Sequence, residues 1–183
     1  MERGLRDPDP LVRMAAARVA PNLPSETVLQ QLTPLLVDEV LSVRLEAVQA
    51  LAPARNYLPE NMIAAFDRAA DEYRESQRAI ASRPQSHGAL AEFEGRLGNI
   101  EQALVHADHA VTMAPDLALL RHSRGLLLVR ANRHDEALDD LRQAEGEEGD
   151  EAQREQPDRR LELVAVGPRA HGPGAVAGGI AHD

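Results

Sequence analysis

Two histidines three residues apart, His106 and His109, stand in the alanine-rich run GNIEQALVHADHAVTMAP, Gly98 to Pro115. Imidazoles one helical turn apart can hold a transition metal or pass a proton, so they are the first residues to test for chemistry. A zinc site typically needs four ligands, and the one nearby donor, Asp108, points roughly 100° or more away from either histidine on a helix of about 3.6 residues per turn. The other histidines offer no second half. His87, His122 and His134 fall near expected helix starts, and His171 and His182 fall in the C-terminal tail. Paired carboxylates are no better placed: Glu92 and Glu94 point to different faces, and Asp139 and Asp140 are helical neighbours, a pattern of solvated charge. No G-x-S-x-G, H-E-x-x-H or phosphate-binding glycine loop occurs, and GAVAGGI, Gly174 to Ile180, lacks both the glycine order and the preceding strand. Cysteine is absent, which removes thiolate metal sites, nucleophilic thiols, disulfides and covalent C-x-x-C-H haem attachment together. The residues therefore point away from an enzyme, a metal centre and any cofactor.

The elements that carry these residues must be built without large rings. Aromatics make up 2% of the 183 residues, so the core has to come from alanine, leucine and valine, which suits helices packed closely on small side chains. All 20 basic residues are arginine, and the net charge is −10 with no basic stripe of the kind phosphate backbones require, so nucleic acid is not an expected partner. The start MERGLRDPDP lacks an apolar export core, and no apolar run approaches the roughly 20 residues that span a bilayer. These features predict a cytoplasmic chain without membrane insertion, or a periplasmic one if it is a fragment of a longer secreted protein.

Sliding the sequence on itself exposes two repeats, and fixed offsets of this size betray stacked supersecondary units. An offset of 31 superposes LRDPDPLVRMAAARVA on LVDEVLSVRLEAVQAL, placing Leu5 on Leu36, Asp7 on Asp38, Val12 on Val43, Arg13 on Arg44 and Ala16 on Ala47. Each copy is an acidic turn followed by an apolar helix; Asp9 can cap the first, with Pro10 in its first turn. The intervening SETVLQQLTPLLV supplies a partner segment broken at Thr33-Pro34. This D-x4-V-R-x2-A pattern resembles a HEAT repeat, and the resemblance implies an Asp and an Arg that brace adjacent turns.

An offset of 34 pairs GNIEQALVHADHA with NRHDEALDDLRQA, placing Ala103 on Ala137, Leu104 on Leu138 and Ala110 on Ala144. Upstream, Ala91 falls on Gly125 and Phe93 on Leu127, and Pro115 closes the first unit. Small residues recur where helices must cross, with turns at Gly98 and Asn132. Between Gln85 and Glu145 this resembles the tetratricopeptide repeat, departing from it where His87 and Arg121 stand at an expected aromatic position. Against this alignment His106 and His109 fall on Asp140 and Gln143, polar in both copies, which predicts a face turned to water.

Between the repeats, PENMIAAFDRAADEYRESQRAIASRP places Ile63, Phe66, Ala70, Tyr73 and Ile80 at near three-and-four spacing and predicts one helix of about 24 residues. The expected organisation is a HEAT-like pair over 1–58, a linking and capping helix over 59–83, two tetratricopeptide units over 84–146 and a disordered tail over 147–183. The fold class is all-α, a right-handed helical-repeat solenoid.

The tetratricopeptide resemblance implies that the first helix of each unit lines a concave groove. The candidate contacts are then Gln85, Gly88, Glu92, Arg96, Leu119, His122, Leu126 and Arg130. Places that hold a basic carboxylate clamp in one subclass carry Gly88, Ala89, Glu92 and Ser123 here, so that clamp is absent. Glu92 would repel an acidic peptide, while Leu119 and Leu126 either accept an apolar one or pack on neighbouring helices. The expected function is a non-enzymatic scaffold that binds a protein or peptide. The order of elements over Leu5 to Ala144 also resembles the C-terminal part of bacterial multihaem cytochromes, which implies as an alternative a haem-less fragment or accessory scaffold of a periplasmic electron-transfer protein.

Overall fold

Asp9 and Pro10 do what their chemistry asks. The Asp9 carboxylate accepts from the Leu11 N–H at 2.9 Å, and Pro10, which has no N–H to leave orphaned, begins the helix. The computed structural model describes residues 2–20 and 25–154. Within them lie α1 (Glu2–Leu5), α2 (Pro10–Val19), α3 (Ser25–Leu32), α4 (Leu41–Leu51), α5 (Glu60–Arg78), α6 (Pro84–Leu97), α7 (Ile100–Met113), α8 (Ala118–Arg130) and α9 (His134–Arg154). No strand occurs among the described residues, and the protein is an all-α helical-repeat solenoid. Tighter 3₁₀ turns follow α3 at Thr33–Val37 and α4 at Ala52–Tyr57, each with a proline at its start where the α-helical bond ladder fails.

The 31-residue repeat closes as one clamp built twice. Arg13 donates through Nε and Nη2 to the Asp38 carboxylate at 2.7 and 2.9 Å, while its Nη1 donates to the Asp7 carbonyl at 2.8 Å. Arg44 repeats this geometry on Glu72 at 2.7 and 2.8 Å and on the Asp38 carbonyl at 2.8 Å. The bracing that the D-x4-V-R pattern implies is therefore present, and Glu72 brings α5 into the same ladder. Forked guanidinium pairs of this kind fix orientation as well as spacing between neighbouring turns. Leu36, Val43, Leu51, Phe66 and Tyr73 fill the core beneath, joined by Phe93 of α6.

The 34-residue repeat rests on small residues. Ala103, Ala107 and Ala110 on α7, and Ala137 and Ala144 on α9, are all buried. Gly98 ends α6 in the left-handed region at φ 86°, and Asn132, its equivalent one repeat on, sits at φ 59°. These are the two residue types that reach that conformation most cheaply, so both turns reverse the chain the same way. Glycines on the facing helices are notches: a Cβ at Gly88 would lie 2.9 Å from Leu120, and one at Gly95 would lie 2.8 Å from Leu127.

Two boundaries differ from the sequence expectation. α5 ends at Arg78 rather than continuing toward Pro84: Ala79 to Arg83 turn instead, and Arg83, the residue before the proline, is extended at φ −103°, ψ 129°. α9 continues to Arg154, past the expected start of the tail at residue 147. Its EGEEGDEAQR segment is mostly glutamate, alanine, glutamine and arginine, good helix formers that outweigh two glycines at about 1 kcal/mol each. The remainder of the expected tail, 155–183, lies outside the described residues.

Candidate partner-binding surface

The eight groove candidates stand on two helices. α6 carries Gln85, Gly88, Glu92 and Arg96, and α8 carries Leu119, His122, Leu126 and Arg130 at near one-turn steps. All but Gly88 are exposed. Leu119 is 72% exposed and Leu126 50%, so both keep side-chain surface open to solvent rather than being buried between helices. Their neighbours on α8, Leu120, Leu127 and Leu128, are the ones buried in the helix pair. Gly88 is half-buried at the crossing, where its missing side chain makes room for Leu120.

Charge on this face is largely self-satisfied. Glu92 and Arg96 pair along α6 at i, i+4. An exposed pair such as this contributes little to stability but holds its charges in register. The acidic repulsion expected of Glu92 is thus offset by Arg96. Arg130 guards the far end of α8 and lies 3.4 Å from the position a Gly95 side chain would take. Gln49 of α4, Tyr73 of α5, and Ala89, Glu92 and Arg96 of α6 line one shallow hollow, so the face continues from α6 onto α4. Burial pushes the Tyr73 phenol up to about 12, with the Glu92 charge adding to it. It packs as a neutral ring, 4.6 Å from Phe93.

Two carboxylates that the sequence assigns to solvent are buried structural ions. Glu94, 2% exposed, accepts from Arg74 Nε at 2.7 Å and from Asn99 Nδ2 at 2.7 Å. Burial by itself would raise its carboxyl, but these hydrogen bonds and the guanidinium charge outweigh it and hold Glu94 below the usual carboxylate range. Asp140, 3% exposed, is clamped by Arg124, which also reaches Asp108 at 3.1 Å. Periodicity alone misses both, because each partner comes from a different helix. The histidine face also divides. His109 is exposed, whereas His106 is half-buried and faces His87 across the α6–α7 pair, with ring centroids 5.8 Å apart. The expectation that both face water fails for His106 because the residue at the missing aromatic position, His87, lies against it. Among the described residues no group of three or more His, Asp or Glu is arranged to hold a metal ion.

A second apolar hollow of about 520 Å³ lies where the prolines break the N-terminal helices, lined by Leu29, Pro34, Val37, Tyr57 and Met62. Thr33-Pro34 was its only trace in the sequence.

Residues 2–82 match the family described as HEAT repeats. The match includes α5, the helix that the Arg44–Glu72 clamp ties to the arginine ladder. The protein is also similar to the crystal structure of MamA, at 15% identity and a TM-score of 0.42, with 78% of this chain and 86% of that one covered. No curated protein matches. The matched family is described as HEAT repeats, and the multihaem resemblance finds no support in that match. No helix among the described residues is long and apolar enough to cross a membrane.

Proposed function

We propose that the protein is a non-enzymatic interaction scaffold that takes a protein or peptide partner along the face formed by α6 and α8. The reading treats the C-terminal helices as two tetratricopeptide units stacked on HEAT repeats. Support comes from the equivalent left-handed turns at Gly98 and Asn132 and from the buried alanines at matching positions. The observation that carries the function is the exposure of Leu119 and Leu126 on one face of α8 while Leu120, Leu127 and Leu128 satisfy the core. Two large apolar side chains held in line by a rigid helix, flanked by His122 and Arg130, are anchors for the apolar face of a partner. Gln85 and the Glu92–Arg96 pair on α6 form the polar rim opposite.

The test is site-specific crosslinking in the native host from a photoreactive side chain at Leu126, compared with one at Leu138 on α9. A discrete partner captured at Leu126, and lost when Leu119→Glu is added, supports the reading. Equal capture from both positions, or capture that Leu119→Glu leaves unchanged, refutes it. Leu119 is exposed, so the substitution should leave the melting temperature within about 2 °C of the parent.

A further inference from the structure

His87 stands between two other imidazoles. Its ring is 5.3 Å from that of His109, stacked at 20°, and 5.8 Å from that of His106, tilted by 38°. One ring comes from the first turns of α6 and two from α7, so the cluster straddles the helix pair. The Nδ1 of His87 is buried without a hydrogen-bond partner.

We infer that His87, His106 and His109 form an acid-sensitive latch on the α6–α7 pair, closed when the imidazoles are neutral and loosened when they take up protons. Neutral rings stack without penalty, and the unpartnered nitrogen is tolerable as an acceptor. Protonation turns that nitrogen into a buried donor without a partner and sets like charges within about 6 Å of one another, close enough for strong coupling. The surrounding charges relieve it only in part: the Glu94 charge favours the protonated His106 ring, and burial and the charge of His87 outweigh it. Arg78 at the end of α5 adds another positive charge to the field on His106. Glu94 on α6 is the opposing charge, but Arg74 and Asn99 already hold it. Asp108 on α7 is engaged by Arg124 of α8. Burial first, then the charge of His87, holds the His106 imidazole below its ordinary value. A depressed folded value means that the unfolded chain binds the proton more readily. The stabilisation is complete above the ordinary value near 6.5 and is lost as pH falls through the depressed one.

Loosening matters because His87 lies between Gln85 and Gly88 on α6. Displacing this end of α6 from α7 moves the Gly88 notch relative to Leu120 of α8. The latch thereby couples pH to the spacing of the two helices, whichever partner they take.

The experiment compares the full chain with a His106→Gln/His109→Gln variant, and with a His122→Gln/His134→Gln control, in chelator-containing buffer at pH 7.5 and pH 5.0. Between the two pH values the parent and the control should lose roughly 3–6 °C more in melting temperature than the cluster variant. Hydrogen exchange at α6 amides near His87, corrected for intrinsic rates, should rise at least about tenfold in the parent and not in the variant. Equal losses in parent and variant overturn the inference. On the parent itself, imidazole NMR should show the His106 ring titrating below its ordinary value. A His106 ring titrating at or above that value would also overturn it.

Discussion

Removing the Arg74 guanidinium tests whether the junction between α5 and α6 is held by a buried ion pair. Glu94 is 2% exposed and receives two hydrogen bonds from Arg74, at 2.7 and 3.4 Å, and one from Asn99. In Arg74→Ala only the Asn99 bond remains, and a desolvated carboxylate is left without its counter-charge. Breaking one side of a buried pair costs about 3–5 kcal/mol, and the surviving bond places the expected value near the lower end. For a chain of this size that corresponds to a melting temperature lower by roughly 6–12 °C. The Arg74 guanidinium also lies 5.6 Å from the Phe93 ring centroid, so its loss loosens the aromatic pair as well. The cost should shrink on acidification. Glu94 sits below its ordinary value in the fold, so its stabilisation is present above the ordinary carboxylate range and is lost as pH falls through the depressed value. Urea denaturation followed by circular dichroism at pH 7 and pH 4 measures both effects. Replacing both partners, Arg74→Met with Glu94→Leu, should recover most of the loss, because the uncompensated charge disappears. A cost for Arg74→Ala under about 1 kcal/mol, the magnitude of an exposed pair, would refute the buried-ion account.

Four further substitutions probe the small-residue packing and the two left-handed turns. Ala103 is fully buried on α7, so Ala103→Leu should overpack the helix pair and cost about 1–3 kcal/mol by chemical denaturation, whereas His109→Gln at neutral pH should change little. Gly98→Ala forces a Cβ into the left-handed region at φ 86° and should cost about 1–2 kcal/mol, while Asn132→Gly at the equivalent turn should be neutral or stabilising in the same assay.

The two repeats were legible in the sequence because each rests on local rules. Asp9-Pro10 starts a helix, Thr33-Pro34 breaks one, and Gly98 and Asn132 turn the chain, all within a few residues of themselves. The alanines at 103, 110, 137 and 144 marked the close crossings because small side chains at a fixed offset have few other uses. The same local logic went wrong at charged and imidazole positions. Glu94 and Asp140 look solvated on a helical wheel, yet each is buried against an arginine from another helix.

By itself, then, the sequence determined the all-α class, the two offsets, the helix starts and the absence of thiol chemistry. Tertiary structure alone decided which polar residues are dry, that α5 joins the arginine ladder through Glu72, that His87 lies against His106 and His109, and that Leu119 and Leu126 rather than their neighbours face outward. The division has a physical cause. Helix start, stop and period depend on backbone chemistry a few residues wide, whereas burial and ion pairing depend on which face of a different helix arrives opposite. Those faces are set only when the whole stack packs.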